Sequence, residues 1–153
     1  MQDSNAPAFK PLIGTDEANI DAKGRLLIRE KKRLRLGKTF VMAYAETGCI
    51  AVYPEDTWQS VVAELMSGSV RERQARPENR LVFGSAEDDL TCDTEGRVMI
   101  PRRLREQARI GKSVIVLGCG DYLEIWDPVQ YGVHERLQES KRLAAQMSTG
   151  GQA

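Results

Sequence analysis

Short apolar runs separated by polar turns follow the same order in each half of this chain. In the first half, a short strand-like segment at 18–20 and an apolar run at 26–28 flank a polar Asp-x-x-Gly. Runs at 39–45 and 49–53 then flank a polar stretch that contains Gly48. The second half repeats the series at 89–92, 98–100, 113–117 and 122–126. Runs of this length, bounded by glycine-containing turns, predict strands. Segments 30–36 and 101–108 predict helices of one to two turns, with Pro101 suited to a first helical position. Longer helices are predicted over 55–66 and 128–146. A further helical piece spans 70–83, with Ser69 as its cap and Pro77 either kinking it or delaying its start. The Gly-, Ser-, Thr- and Gln-rich end predicts disorder.

The repetition extends to residue identity. Asp21-Ala22-Lys23-Gly24-Arg25-Leu26-Leu27-Ile28 recurs as Asp93-Thr94-Glu95-Gly96-Arg97-Val98-Met99-Ile100. KTFVMAY from Lys38 matches KSVIVLG from Lys112, and Ile50-Ala51-Val52-Tyr53 matches Leu123-Glu124-Ile125-Trp126. Trp58 matches Tyr131 on the following helix. The chain therefore divides into a first repeat (15–67), a helical connector (68–86), a second repeat (87–143) and a tail (144–153). A unit of about 50 residues buries too little surface alone, so the halves are expected to share one core. In each Asp-x-x-Gly turn the aspartate accepts backbone hydrogen bonds and the glycine tolerates positive φ. Asp21, Gly24, Asp93 and Gly96 are therefore turn-bracing residues.

Charge changes the picture next. The 153 residues carry 22 basic and 22 acidic side chains, a formal net charge of zero. That excludes a uniformly basic chromatin protein and an acidic disordered tail. It leaves room for segregated charge, and segregation is present. Between 23 and 38, eight basic residues (Lys23, Arg25, Arg29, Lys31, Lys32, Arg33, Arg35, Lys38) face only Glu30, a net +7. Between 97 and 112, six (Arg97, Arg102, Arg103, Arg105, Arg109, Lys112) face only Glu106, a net +5. Each patch sits at the same place in its repeat. Lysine and arginine neutralise phosphates, and an arginine after a tight turn can pair bidentately with guanine O6 and N7. Arg25 and Arg97 are the candidates for that role. Two plainer readings stand beside it: salt bridges from Arg25 and Arg97 to the turn aspartates, and solvated helix faces for the other basic residues. Arg71, Arg73, Arg76 and Arg80 alternate with Glu72 and Glu78 and read as mixed surface or a subunit contact.

Catalytic and metal chemistry finds little to use. Cys49, Cys92 and Cys119 form no C-x-x-C pair, against both a disulfide framework and a zinc site. His134 is the single histidine, on a predicted helix, and its plain reading is a partly exposed helical residue. Gly118-Cys119-Gly120 lacks the third glycine of a dinucleotide fingerprint. No enzyme, cofactor, metal or small-molecule substrate is expected. No apolar run approaches the ~18–20 residues of a membrane span. The N-terminus has no basic start followed by an apolar stretch, so a cytoplasmic protein is expected.

The segment from Gly96 to Ile110, GRVMIPRRLREQARI, resembles the AbrB-type swapped-hairpin signature. With Asn19 to Arg25 in the first half and Leu123-Glu124-Ile125-Trp126-Asp127 near the end, the two tandem copies resemble the MraZ family. The resemblance covers roughly residues 9–143. It implies an α+β fold whose β-rich core of interleaved hairpins forms one shared barrel-like unit with flanking helices. It also implies a ring-shaped homo-oligomer that binds direct repeats of double-stranded DNA in its own promoter. The implied role is repression of a division and cell-wall gene cluster, at the nucleoid in the cytoplasm. The recognition element would comprise Arg25 and Arg97, with Lys23, Arg29, Lys31, Arg33, Arg102 and Arg103 around them. One departure stands out: Arg29 occupies the place where the family usually carries proline, which the second copy keeps as Pro101. This is expected to alter the start of the first short helix. The alternative function is a protein-interaction module for an acidic partner, such as an rRNA methyltransferase. An antitoxin-like protein is disfavoured, because such proteins carry one motif copy and a longer disordered tail.

Overall fold

The computed structural model describes residues 9–150. Residues 1–8, where a leader was judged absent, and 151–153, the end of the expected tail, lie outside the described residues. The first repeat runs β1 (Thr15–Asn19), β2 (Arg25–Leu27), α1 (Glu30–Leu36), β3 (Phe40–Tyr44), β4 (Ile50–Pro54) and α2 (Glu55–Leu65). Next come α3 (Val70–Gln74) and α4 (Pro77–Ser85). The second repeat runs β5 (Glu87–Leu90), β6 (Arg97–Met99), α5 (Arg102–Gln107), β7 (Ser113–Gly118), β8 (Leu123–Trp126) and α6 (Pro128–Gly150). The fold is α+β, with every strand pair antiparallel.

Six strands form one sheet in the order β1-β7-β8-β4-β3-β5, and β2 pairs with β6 as a separate ribbon. The order is a palindrome of the repeats. The first strand of each repeat pairs with the third strand of the other, and the two fourth strands meet in the middle. Neither half can close its hydrogen bonds alone. Among the described residues the sheet is open, with β1 and β5 as edges, and no closed barrel is seen. The ribbon touches the sheet through one bridge, Ile20 to Leu26, and packs across a face instead of closing the ring. The β5 edge carries Glu87, Asp88 and Asp89, all exposed, and such charge blunts an edge against further pairing.

The core lies between the sheet and this ribbon. Phe40, Met42, Ile50, Val52, Val114, Val116, Leu123 and Ile125 from the sheet meet Leu26, Ile28, Val98 and Ile100, with Leu36 and Leu104 from the short helices. On the opposite face, Tyr53, Tyr122 and Trp126 meet Trp58 of α2 and Tyr131 and His134 of α6. The aromatic residues matched between repeats are therefore packing anchors.

Two helical boundaries differ from the sequence reading. Pro77 opens a new helix and does not kink a continuous one, because its ring fits the first turn. Ser69 caps α3 as expected, accepting from the Glu72 amide at 3.2 Å. Helix α6 continues to Gly150 through the region read as disordered. Ala144, Ala145, Gln146 and Met147 are good helix formers, and the Thr149 hydroxyl bonds back to the Ala145 and Gln146 carbonyls.

Candidate nucleic-acid interface

Each Asp-x-x-Gly-Arg turn is closed by its own aspartate. Asp21 Oδ1 accepts from the backbone amides of Lys23 at 3.0 Å and Arg25 at 2.8 Å. Asp93 Oδ1 accepts from those of Glu95 and Arg97, both at 2.9 Å. The second carboxylate oxygen then holds the arginine: Arg25 Nε donates to Asp21 Oδ2 at 2.9 Å, and Arg97 Nε to Asp93 Oδ2 at 3.3 Å. These contacts hold both carboxyls below the usual carboxylate range, the arginine backbone amide being the largest cause. Gly24 and Gly96 adopt φ of +85° and +86°, where a side chain is strained.

The turns lead into the β2–β6 ribbon, where Arg25 pairs with Met99 and Leu27 with Arg97. Leu26 and Val98 point into the core, so Arg25, Leu27, Arg97 and Met99 share the outer face. Strand and turn of one repeat are also tied to the other. Ile28 donates its amide to the Gly96 carbonyl and Ile100 to the Gly24 carbonyl, both at 3.0 Å.

The other basic residues sort by what they touch. Lys23, Lys31, Arg102 and Arg103 are exposed; Lys31 borders a groove with Phe9 and Leu34, and Arg103 borders one with Arg80 and Leu81 of α4. Arg102 Nε pairs with Glu106 at 3.0 Å. Arg33 is half-buried; its guanidinium donates to the Ile28 carbonyl and lies over the Gly96 turn. Arg105, eight residues after Arg97 as Arg33 is after Arg25, lies over the Gly24 turn in the same way. This reciprocal packing escaped the sequence reading, although the matched spacing was its signal. Arg29 pairs with Asp16 at 3.3 Å. Its backbone (φ −60°, ψ 144°) matches that of Pro101 (φ −54°, ψ 133°). The start of α1 is thus unchanged by the missing proline, contrary to expectation, because an arginine can adopt proline's φ. Lys32, counted in the basic patch, is buried on Asp16 at 2.5 Å, at the position Leu104 fills in the second repeat.

The thiols offer no reactive nucleophile at neutral pH. Burial pushes Cys49 and Cys92 up, and raises Cys119 to about 11. Among the described residues, no helix is long and apolar enough to cross a membrane.

The sequence model of the family described as "MraZ protein, putative antitoxin-like" matches residues 12–81 and again 83–149, a description that keeps the antitoxin-like relationship which the sequence reading disfavoured. Curated relatives named transcriptional regulator MraZ include one from Halothermothrix orenii, 33% identical over 91% of this chain and 98% of that protein. Another, from Cutibacterium acnes, is 32% identical over 83% of this chain and 89% of its own length. A third, from Lactiplantibacillus plantarum, is 38% identical over 74% and 80%. With the family's motif present twice and both repeats interleaved through one core, the chain belongs to the MraZ family.

Proposed function

We propose that this chain is a sequence-specific DNA-binding transcriptional regulator. In this reading it represses a division and cell-wall gene cluster by binding direct repeats in its own promoter. It acts there, at the nucleoid, as a ring-shaped homo-oligomer and performs no catalysis. The observation that carries the proposal is the pair of aspartate-anchored arginines at equivalent positions on one exposed ribbon face. The DNA major groove admits a two-stranded ribbon, and an arginine fork reads guanine there. Anchoring at Nε orients the guanidinium in advance, so less freedom is lost on contact. Lys23, within the first turn, meets phosphate most directly; Arg29, Lys31, Arg102 and Arg103 extend the basic surface outward, Lys31 towards the Phe9–Leu34 groove and Arg103 towards α4, and Arg33 braces the turn beneath.

Oligomerisation is supported by exposed apolar residues away from the ribbon turns. Phe9 and Leu34 line a groove of about 680 Å³ beside Leu12 and Pro54, a surface suited to a second copy. Several subunits on several repeats gain affinity through effective concentration, which one small ribbon lacks.

The test is fluorescence-anisotropy titration of labelled upstream DNA against a scrambled duplex, over a salt series. Wild type should select its own DNA, with a slope of about −0.9 per neutralised phosphate. The double variant R25A/R97A should lose that selection. Equal weak binding to both duplexes by both proteins refutes the reading, and the basic ribbon would then face an acidic protein partner.

A further inference from the structure

The two turns share one plan but carry opposite charge at their third position. Lys23 stands in the first where Glu95 stands in the second. From 21 to 25 the turn has two basic residues and one acidic, a net +1; from 93 to 97 it has one basic and two acidic, a net −1.

The geometry turns this exchange into different states of the two arginines. Arg97 is held at both ends of its guanidinium: Nε lies 3.3 Å from Asp93 Oδ2, and Nη2 lies 2.9 Å from Glu95 Oε2. Arg25 is held at Nε by Asp21. Its other carboxylate neighbour, Asp93 Oδ2, is 3.9 Å from Nη1, beyond hydrogen-bond distance. The carboxylates also differ in what else they do. Asp21 and Asp93 each accept two backbone amides and cannot leave without opening the turn. The Glu95 carboxylate has no hydrogen bond to the turn backbone among the described residues, and its side chain is 68% exposed.

We infer that Glu95 is a specificity-setting residue that masks Arg97, making the turn at Asp21–Arg25 the primary DNA contact of each subunit. The inference rests on the DNA-binding reading above. To offer its fork to a guanine edge, Arg97 must first release Glu95, which then meets the phosphate field as a like charge. Arg25's second carboxylate, Asp93, stands farther off at 3.9 Å and is held by its own turn's amides, and Lys23 beside Arg25 adds a cation for phosphate. Because the Glu95–Arg97 pair is exposed, it is weak and displaceable. Glu95 therefore tunes the second turn and does not abolish it.

The test uses the full chain on the same labelled upstream and scrambled duplexes. R25A should weaken selective binding far more than R97A. E95Q should tighten binding by about two- to fivefold, the worth of one exposed pair, and E95K should steepen the salt slope by about one contact. In the R97A background E95Q should have no effect. The exchange K23E/E95K should reverse the ranking of R25A and R97A. E95Q removes one exposed pair, so its thermal melt should match wild type; R25K, which keeps the charge but loses the fork, serves if R25A misfolds. Equal losses for R25A and R97A, or no response to E95Q, would overturn the masking role while selective wild-type binding leaves the regulator reading standing. Tightening by E95Q that persists without Arg97 also overturns it, as a field effect only. Wild type that fails to select its own DNA overturns both readings.

Discussion

Replacing Gly96 with alanine probes the turn and its cross-repeat brace together. At φ +86° an alanine is strained, and the left-handed region costs an L-residue about 1–2 kcal/mol. The new Cβ would also overlap the Arg33 guanidinium and drive it off the turn. That displacement loses the 3.2 Å hydrogen bond from Arg33 to the Ile28 carbonyl, worth about 0.5–1.5 kcal/mol. The sum is about 1.5–3.5 kcal/mol. Gly24, at φ +85°, is the internal control: its Cβ would come 3.1 Å from Arg105 Nη2, a contact a flexible side chain can relieve. G24A should therefore cost about 1–2 kcal/mol, the backbone component alone. Urea denaturation measures both, and for a chain of this size each kcal/mol lowers Tm by about 2–4 °C. In the R33A background, the excess cost of G96A over G24A should vanish. Equal costs in the wild-type background, or an excess that survives R33A, would refute the claim that Arg33 braces the opposite repeat's turn.

Three further outcomes follow from named contacts. R29P should change stability by less than about 0.5 kcal/mol by denaturant unfolding, since proline fits the observed φ and gains about 0.4–1 kcal/mol through the unfolded chain, against a lost exposed pair with Asp16. D16A should destabilise by about 3 kcal/mol because it strands the buried Lys32 charge, and D16A/K32L should recover most of that, since Leu104 already fills the equivalent place; a double variant no better than the single one would contradict this. Asp21 and Asp93 have lowered folded-state pKa values, so their stabilisation is complete above the ordinary value of 3.8 and disappears as pH falls through the folded values below it. The Tm gap between wild type and D21N/D93N should accordingly be constant from pH 5 to 7 and close in acid, read by calorimetry at each pH.

Local pattern carried the elements but not their pairing. Helix α1 is bounded as the sequence reading placed it, at 30–36, because Glu, Lys, Arg and Leu all favour helix and Gly37, at φ +84°, follows its last residue. The strands β2 and β6 begin one residue earlier than the apolar runs, at Arg25 and Arg97 themselves. The isoleucines that end those runs leave the ladder to bond the opposite turn's glycine carbonyl. That partner lies in the other repeat, so no window along the chain contains it. The same non-local reach pairs β1 with β7 and β3 with β5, and leaves the sheet open where the family resemblance had implied a barrel.

The repeats themselves held more than was read from them. Shifting the chain by 72 residues, from Asp21 to Asp93, superposes the turn, the strand and the short helix position by position. Where the aligned residues agree, the structure is symmetric: aspartate brace, positive-φ glycine, anchored arginine, and the crossed Arg33 and Arg105. Where they disagree, the structure breaks symmetry in a way the chemistry of the pair explains. Arg29 against Pro101 leaves the backbone alone and adds an ion pair. Lys32 against Leu104 trades an apolar contact for a buried charge that needs Asp16. Gly37 against Arg109 puts a side chain at φ +56° after α5, where the first repeat uses glycine. Lys23 against Glu95 leaves the turn's backbone bonds alone but adds the exposed Glu95–Arg97 pair, so its consequence falls on whatever that face binds. In a duplicated domain, a difference that spares the core but reverses charge beside a binding arginine is where the two copies can divide one function between them.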